Sequence, residues 1–206
     1  MTAEALIAAA QALDSAGFMP NKSGNLSIRT ARGFLITPSG MPYAKLTQAD
    51  LVECTPSGAN GRPSSEWRLH AAVYAARGDA QAVVHTHSPH ATALSCARCA
   101  IPPLHYMITL AGSTEIPCAA HATFGTQDLA DAAVAALGAG RACLLANHGV
   151  LAIGATLAGA ETLAREVENL ARQYLLLLAA GLPPVLLTPA ELAAAAAQLR
   201  GYGRPA

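Results

Sequence analysis

The sequence is short of lysine, of aromatic residues and of charge. Lysine occurs twice in 206 residues, at Lys22 and Lys45, both in turn-rich segments. Schiff-base catalysis needs a desolvated lysine, so that chemistry is disfavoured. Basic and acidic residues number 13 each, for a formal net charge of zero. Without a cationic excess, nucleic acid is not an expected partner. No G-x-x-x-x-G-K-[ST] or G-x-G-x-x-G string occurs, and no G-x-S-x-G elbow. Those absences count against phosphate-loop and dinucleotide sites and against a serine hydrolase. The longest apolar stretch, near 174–187, is broken by Gly181, Pro183 and Pro184. It falls short of the roughly 20 residues of a membrane span, so no membrane partner is expected.

Two further deficits bear on location. The start, MTAEALIAAA, has no basic n-region and carries Glu4, which argues against a signal peptide. Five cysteines, an odd number, without a secretory signal fit a reduced cytoplasmic compartment. Cys96 and Cys99 form a single C-x-x-C with no second pair, too few ligands for a four-cysteine zinc site.

What the chain has in abundance is alanine, 48 residues of it. Alanine accounts for much of the 52% hydrophobic content and favours helix. The reading is therefore a helix-rich globular protein. At about 100–200 residues per domain, one domain over residues 1–206 is expected.

Periodicity and caps predict the elements. Residues 2–16 read as a helix ended by Gly17. Leu26–Arg29 and Phe34–Thr37 read as strands around a turn at Arg32-Gly33. Ser64 and Ser65 would cap a helix running to about Arg77. Ala82–Ser88 alternates like a strand, and Pro89 opens a short helix. Thr126–Leu137 reads as a helix, with strands Cys143–Ala146 and Val150–Ile153 around the turn Asn147-His148-Gly149. Thr156–Ala180 is a long helix with Glu161–Arg165 and Glu168–Arg172 as i,i+4 pairs on its polar side. Thr188, Pro189 and Glu191 spell a capping box for the last helix. Strands and helices mixed in this way predict helices covering a sheet, an α/β or α+β chain.

The first candidate for chemistry is His85-Thr86-His87. In a strand, i and i+2 share a face, with roots roughly 6.6 Å apart at about 3.3 Å per residue. The two imidazoles can converge on one ion; equally, they can be two polar groups at a strand end. His148 follows in an apolar-bracketed turn, where Gly149 allows a tight bend. Glu66 lies in the first turn of its helix, where a carboxylate also serves the helix dipole. Three histidines and a carboxylate would suit zinc with a position that opens to substrate. Spacing alone leaves open whether the four meet. Ser64 and Ser65 at the helix start could hold an anion, as could the donor-rich turn Asn21–Asn25. An ordinary cap and an ordinary turn explain them equally well. His70, His90, His105 and His121 read as structural or peripheral.

Taken together, SGNLSIR (23–29), FLITPSGMPYAKL (34–46), PSSEWRLH (63–70), VVHTHSPHATALS (83–95), IPPLHYMI (101–108), IPCAAHATFGT (116–126), LLANHG (144–149) and the terminal YG (202–203) form an ordered set. The chain resembles the class II aldolase/adducin family across nearly its whole length. The resemblance implies a three-layer α-β-α fold with a central, largely antiparallel sheet. It implies one zinc per subunit on Glu66, His85, His87 and His148. It implies a phosphate cradle of Gly24, Asn25, Ser39, Gly40, Ser64 and Ser65. Tyr106 matches a tyrosine that enters a neighbouring subunit's site, and Tyr202 one on the C-terminal tail that also serves the substrate. The implied assembly is a homotetramer with sites at subunit interfaces.

The implied reaction is reversible cleavage of a deoxyketose 1-phosphate, such as L-fuculose 1-phosphate, to dihydroxyacetone phosphate and a short aldehyde. Glu66 would move a proton at C3 and Tyr106 one at the C4 hydroxyl. The family's 4-epimerases tend to carry Asp after Ser-Ser, so Glu66 favours the aldolases. A methylthioribulose-1-phosphate dehydratase or aldolase is the other rival within the family. A non-catalytic adducin-like domain would have no reason to keep the full His and Glu set. Two departures from the aldolase pattern are Asn147, where histidine is usual, and His121, where tyrosine is common.

Overall fold

The computed structural model describes residues 1–55 and 58–201. Among the described residues are six α-helices: α1 (Ala3–Ser15), α2 (Trp67–Ala76), α3 (Pro89–Cys96), α4 (Gln127–Leu137), α5 (Leu157–Ala179) and α6 (Pro189–Gly201). Among the described residues eight strands form one sheet: β1 (Asn25–Arg29), β2 (Phe34–Ile36), β3 (Val52–Thr55), β4 (Gly58–Asn60), β5 (Ala82–Thr86), β6 (Cys118–Ala119), β7 (Ala142–Leu145) and β8 (Gly149–Gly154). Their order across the sheet is β4-β3-β2-β1-β5-β8-β7-β6. Every neighbouring pair is antiparallel except β6 and β7.

Side-chain alternation sends successive residues to opposite faces, and both faces are covered. Leu26, Ile28, Val84, Leu144 and Val150 pack beneath Leu6 and Leu13 of α1, Leu94 of α3, and Leu163, Val167 and Leu170 of α5. On the other face Val83, Leu145, Leu151 and Ile153 meet Leu69 and Val73 of α2 and Leu129 and Leu137 of α4. Strands buried on both sides read as continuous apolar runs, as β7 and β8 do; β5 is buried throughout too, but ends in His85 and Thr86. The arrangement is the expected three-layer α-β-α fold with a mostly antiparallel sheet. Among the described residues no helix is long and apolar enough to cross a membrane.

Most predicted boundaries hold within a residue or two, and the predicted box at the last helix forms. Thr126 and Thr156 cap α4 and α5 by accepting from Leu129 and Gly159. Thr188 and Glu191 make the reciprocal box at α6. Three differences matter. First, α2 begins at Trp67, with Glu66 at the N-cap and no side-chain cap. Ser64 and Ser65 therefore stand in the approach to the helix, where Ser64 Oγ accepts from the Glu66 N–H at 3.3 Å. Second, β5 stops at Thr86, so His87 lies just beyond the strand. Third, Glu168 forms no pair with Arg172. It is buried and accepts from the His90 and Ala91 N–H groups at 3.0 and 2.9 Å. Its carboxylate thus caps the N-terminus of α3, a stronger call on a charge than an exposed neighbour.

Candidate metal centre

Three elements end at one point. The end of β5 delivers His85 and His87, the turn between β7 and β8 delivers His148, and the N-cap of α2 delivers Glu66. One ligand atom from each of the four lies within 4.8 Å of the others. His85 Nε2 stands 2.9 Å from Glu66 Oε2 and 3.0 Å from His87 Nε2. His148 Nε2 is 3.3 Å from Glu66 Oε1. The three rings meet edge to face, with centroids 4.8, 4.8 and 4.9 Å apart.

The hydrogen-bonding state of these groups fits a cation. His85 Nδ1 lies 2.8 Å from the Val150 carbonyl, an acceptor, which fixes a proton on Nδ1 and makes Nε2 the atom that can give a lone pair to an ion. Burial lowers His85, but with no ion present the Glu66 charge and hydrogen bond outweigh it and raise the ring above its ordinary value. Burial, with His85 close by, pushes His87 down to about 3 and His148 down to about 4. Both are neutral at pH 7, the form that binds a metal. Burial alone would raise Glu66, but the His85 charge and hydrogen bonds from His85 and Asn25 hold it well below the usual carboxylate range. Glu66 Oε1 is nonetheless buried without a hydrogen-bond donor. An anionic oxygen in that position calls for a positive partner. Three imidazoles and one carboxylate are a donor set for a divalent transition metal, and the chain supplies it within one ion's reach.

Two glycines make the convergence sterically possible. A Cβ on Gly149 would run into the Thr86 carbonyl and sit 3.1 Å from the His87 ring and 3.4 Å from the His85 ring. Gly24 has φ +81° and a Cβ there would stand 2.7 Å from the His85 carbonyl. Bare backbone at both positions lets β8 and the turn before β1 close on the histidines.

Beside the cluster opens a cleft of about 410 Å³. Glu66, His87 and His148 line one part of it; Gly24, Asn25, Ser39, Gly40, Ser64 and Ser65 line another. The structure thus gathers all six cradle candidates around the cavity that the metal set borders. Lys22 and Thr123 also face it, with His121 and the largely exposed Phe124. Tyr106 does not: it opens the 3-10 turn Tyr106–Ala111, is 46% exposed, and is absent from the cleft lining. Tyr202 lies outside the described residues.

Sequence reasoning set His70 and His121 aside. His121 lines the cleft. His70 is fully buried and reaches the cluster through Asn25. The signal for His70 was present: it stands four residues after Glu66 at the start of the same helix, the spacing that puts two side chains on one face.

The fold and this centre define a metal-dependent enzyme with a cleft of hydroxyls and backbone beside the metal-ligand set. Residues 4–175 match the family described as the class II aldolase and adducin N-terminal domain, and the chain belongs to that family. The L-fuculose phosphate aldolase of Escherichia coli K12 is 44% identical over 190 residues, covering 91% of this chain and 88% of that protein. A 5-methylthioribulose-1-phosphate/5-deoxyribulose-1-phosphate aldolase of Rhodospirillum rubrum is 47% identical over 172 residues, 82% of this chain and 78% of that one. A solved L-fuculose 1-phosphate aldolase structure superposes with a TM-score of 0.91 at 35% identity, over 96% of this chain and 95% of the other. The chain is a class II, metal-dependent aldolase.

Proposed function

We propose that this aldolase reversibly cleaves a deoxyketose 1-phosphate, such as L-fuculose 1-phosphate, to dihydroxyacetone phosphate and a short aldehyde, with zinc as the metal. It would do so in the cytoplasm, as one domain over residues 1–206 in a homotetramer. The observation that carries the reading is the shared position of Glu66: it belongs to the metal cluster and also lines the cleft beside Ser64 and Ser65. A carboxylate there can exchange protons with a carbon whose phosphate is anchored a few atoms away.

His85, His87 and His148 would hold the ion, with Glu66 as a ligand that substrate can displace. When bound, the ion supplies Lewis-acid polarisation of the substrate carbonyl. Gly24, Asn25, Ser39, Gly40, Ser64 and Ser65 would bind the phosphate and so orient the reacting carbons. In the condensation direction Glu66 takes a proton from the hydroxymethyl carbon of dihydroxyacetone phosphate. That carbon then bonds to the aldehyde carbon, and Tyr106 of the partner subunit gives a proton to the new hydroxyl. Cleavage is the reverse, and Glu66 returns its proton to the same carbon. The exposure of Tyr106, away from its own cleft, supports service to another copy. Tyr202 would assist from the C-terminal tail.

The relative from Rhodospirillum rubrum favours a second reading, a 5-deoxy- or 5-methylthio-ribulose 1-phosphate as substrate. One assay separates the two. Zinc-loaded protein is incubated with each ketose 1-phosphate, and dihydroxyacetone phosphate is followed by NADH loss through a coupled reductase. A higher kcat/KM for the six-carbon substrate supports the first reading, and the reverse order supports the second. No NADH loss with any of them would refute aldol cleavage of this substrate class.

A further inference from the structure

Behind the metal cluster a buried chain of hydrogen bonds starts at Glu66 and Asn25 and continues through His70, Ser27 and Tyr74, which the reaction above does not use. Asn25 Nδ2 donates to Glu66 Oε2 at 3.1 Å. Asn25 Oδ1 lies 2.5 Å from His70 Nε2, and His70 Nδ1 lies 2.6 Å from Ser27 Oγ. Ser27 Oγ is 2.8 Å from the Tyr74 hydroxyl. Asn25, Ser27, His70 and Tyr74 are all buried, Ser27 and His70 completely. Asn25 and Ser27 are alternate residues of β1, and His70 and Tyr74 are one turn apart on α2. The contact is therefore a rung between sheet and helix, built from two matching periodicities.

We propose that His70 is a positioning residue for Glu66, acting through the Asn25 amide. The direction of every bond follows from the charge at one end. Glu66 Oε2 is an anionic acceptor, so the Asn25 amide must turn its NH2 toward it. Asn25 Oδ1 then faces His70, which must carry its proton on Nε2. His70 Nδ1 is left as an acceptor, so Ser27 donates to it and in turn accepts from Tyr74. The opposite His70 tautomer would let the amide flip and put Asn25 Oδ1 against the Glu66 carboxylate, two acceptors in contact. Burial pushes His70 down to about 3, so the ring stays neutral and one nitrogen remains an acceptor.

The consequence concerns the proton-carrying oxygens. Asn25 holds Oε2, while Oε1 has no donor and points at His148. A carboxylate pinned at one oxygen rotates little, which would keep the other oxygen aimed into the cluster. His70 sets that pin without touching substrate or metal. The proposal rests on Glu66 acting as the proton carrier in the reading above, but the tautomer and the zinc affinity are read without any substrate.

The first test is the tautomer of His70, read by long-range 1H–15N NMR on the full chain labelled at histidine. A neutral Nε2–H ring is expected, and an Nδ1–H ring would overturn the proposal. The second test compares His70→Phe with His70→Gln, whose amide can still donate toward Asn25. Zinc affinity by chelator competition and kcat are each expected to fall about 10–100-fold in His70→Phe, with KM changing much less. His70→Gln is expected to recover most of both. A folded His70→Phe with unchanged zinc affinity and kcat would overturn the proposal. If His70→Phe does not fold, Tyr74→Phe and Ser27→Ala replace it. Ser27→Ala removes the donor to Nδ1 and is expected to populate the other tautomer and weaken zinc binding; no change in either would again overturn it. Loss of zinc affinity in a protein that cleaves no ketose phosphate would uphold the positioning role and sink the substrate reading alone.

Discussion

Gly149→Ala tests whether the metal centre depends on bare backbone at the head of β8. Gly149 pairs with Leu145 across the β7–β8 turn and its φ is not in the left-handed region, so alanine meets no conformational penalty there. The effect must come from space. The added methyl would press on the Thr86 carbonyl, with the His87 ring at 3.1 Å and the His85 ring at 3.4 Å. The carbonyl is strand backbone and cannot move freely, so the methyl is relieved by shifting β8 or the imidazoles. Overpacking of this kind costs about 1–3 kcal/mol. For a chain of this size that is roughly 2–12 °C in Tm. If the rings take up the strain, metal affinity falls as well, by about 10–100-fold for a disturbance next to the ligands. Thermal unfolding of the metal-free variant reads the first effect and chelator competition the second. Gly78→Ala is the control: nothing lies within 4 Å of its Cβ position and its φ is ordinary. It is expected to be neutral or stabilising by up to about 1 kcal/mol. A metal-free Gly149→Ala that melts with wild type and binds zinc equally well would refute the close-packing argument.

Glu168→Ala removes the carboxylate that caps α3 and so loosens the segment directly after His87. We expect a loss of about 1–3 kcal/mol in stability and a lower kcat, measured by thermal unfolding and the coupled assay. Glu168→Gln keeps an acceptor and should lose less. Glu66→Gln should abolish most turnover while the three histidines still retain zinc; unchanged turnover would remove Glu66 from the reaction. Tyr106→Phe should also be slow alone. Mixing it with Glu66→Gln under subunit exchange should restore part of the activity, because hybrid assemblies contain intact composite sites. No recovery after verified exchange would refute a site shared between subunits.

How much of this was readable from sequence depends on the distance over which each feature is decided. Caps and helix ends are local: the starts near Thr126 and Thr156 and the Thr188–Glu191 box were read correctly, while the cap read at Ser64 and Ser65 was not. The metal set was found because His85 and His87 share a strand face and because eight ordered strings match a family. The short strands β3, β4 and β6 were missed; β4 is fully exposed and β6 has two residues, while β3 does alternate, Val52 and Cys54 in and Glu53 and Thr55 out, but over four residues only. Glu168 was misread because the i,i+4 rule sees only its own helix, whereas its donors lie on α3, 77 and 78 residues away. His70 was discounted for the same reason. Its role needs Asn25, brought beside the cluster by the pairing of Asn25 with His85 between β1 and β5. Strand register across 60 residues of chain is not written in any local pattern.

The scarcity of lysine now has a physical consequence. A phosphate is expected in the cleft, yet Lys22 is the one lysine on its lining, among hydroxyls, backbone and the His87 and His148 rings, which are neutral at pH 7. Without a metal, Glu66 raises His85 against its burial, so the cluster carries about −1 with His85 neutral and about zero with it charged; a dication held by three neutral imidazoles and the carboxylate would bring it to about +1, which favours an anion. At an effective dielectric of about 20 and ~8 Å, each pair of unit charges is worth about 2 kcal/mol before solvent screening. Anion affinity should therefore depend on the metal even though the cradle holds no metal ligand. Binding of inorganic phosphate, measured by calorimetry with and without prior chelation, should weaken at least about tenfold when the metal is removed, and more at low salt than at high. Equal affinity in both states would mean that hydroxyls and Lys22 suffice for the phosphate, and that the metal serves the carbonyl end of the substrate alone.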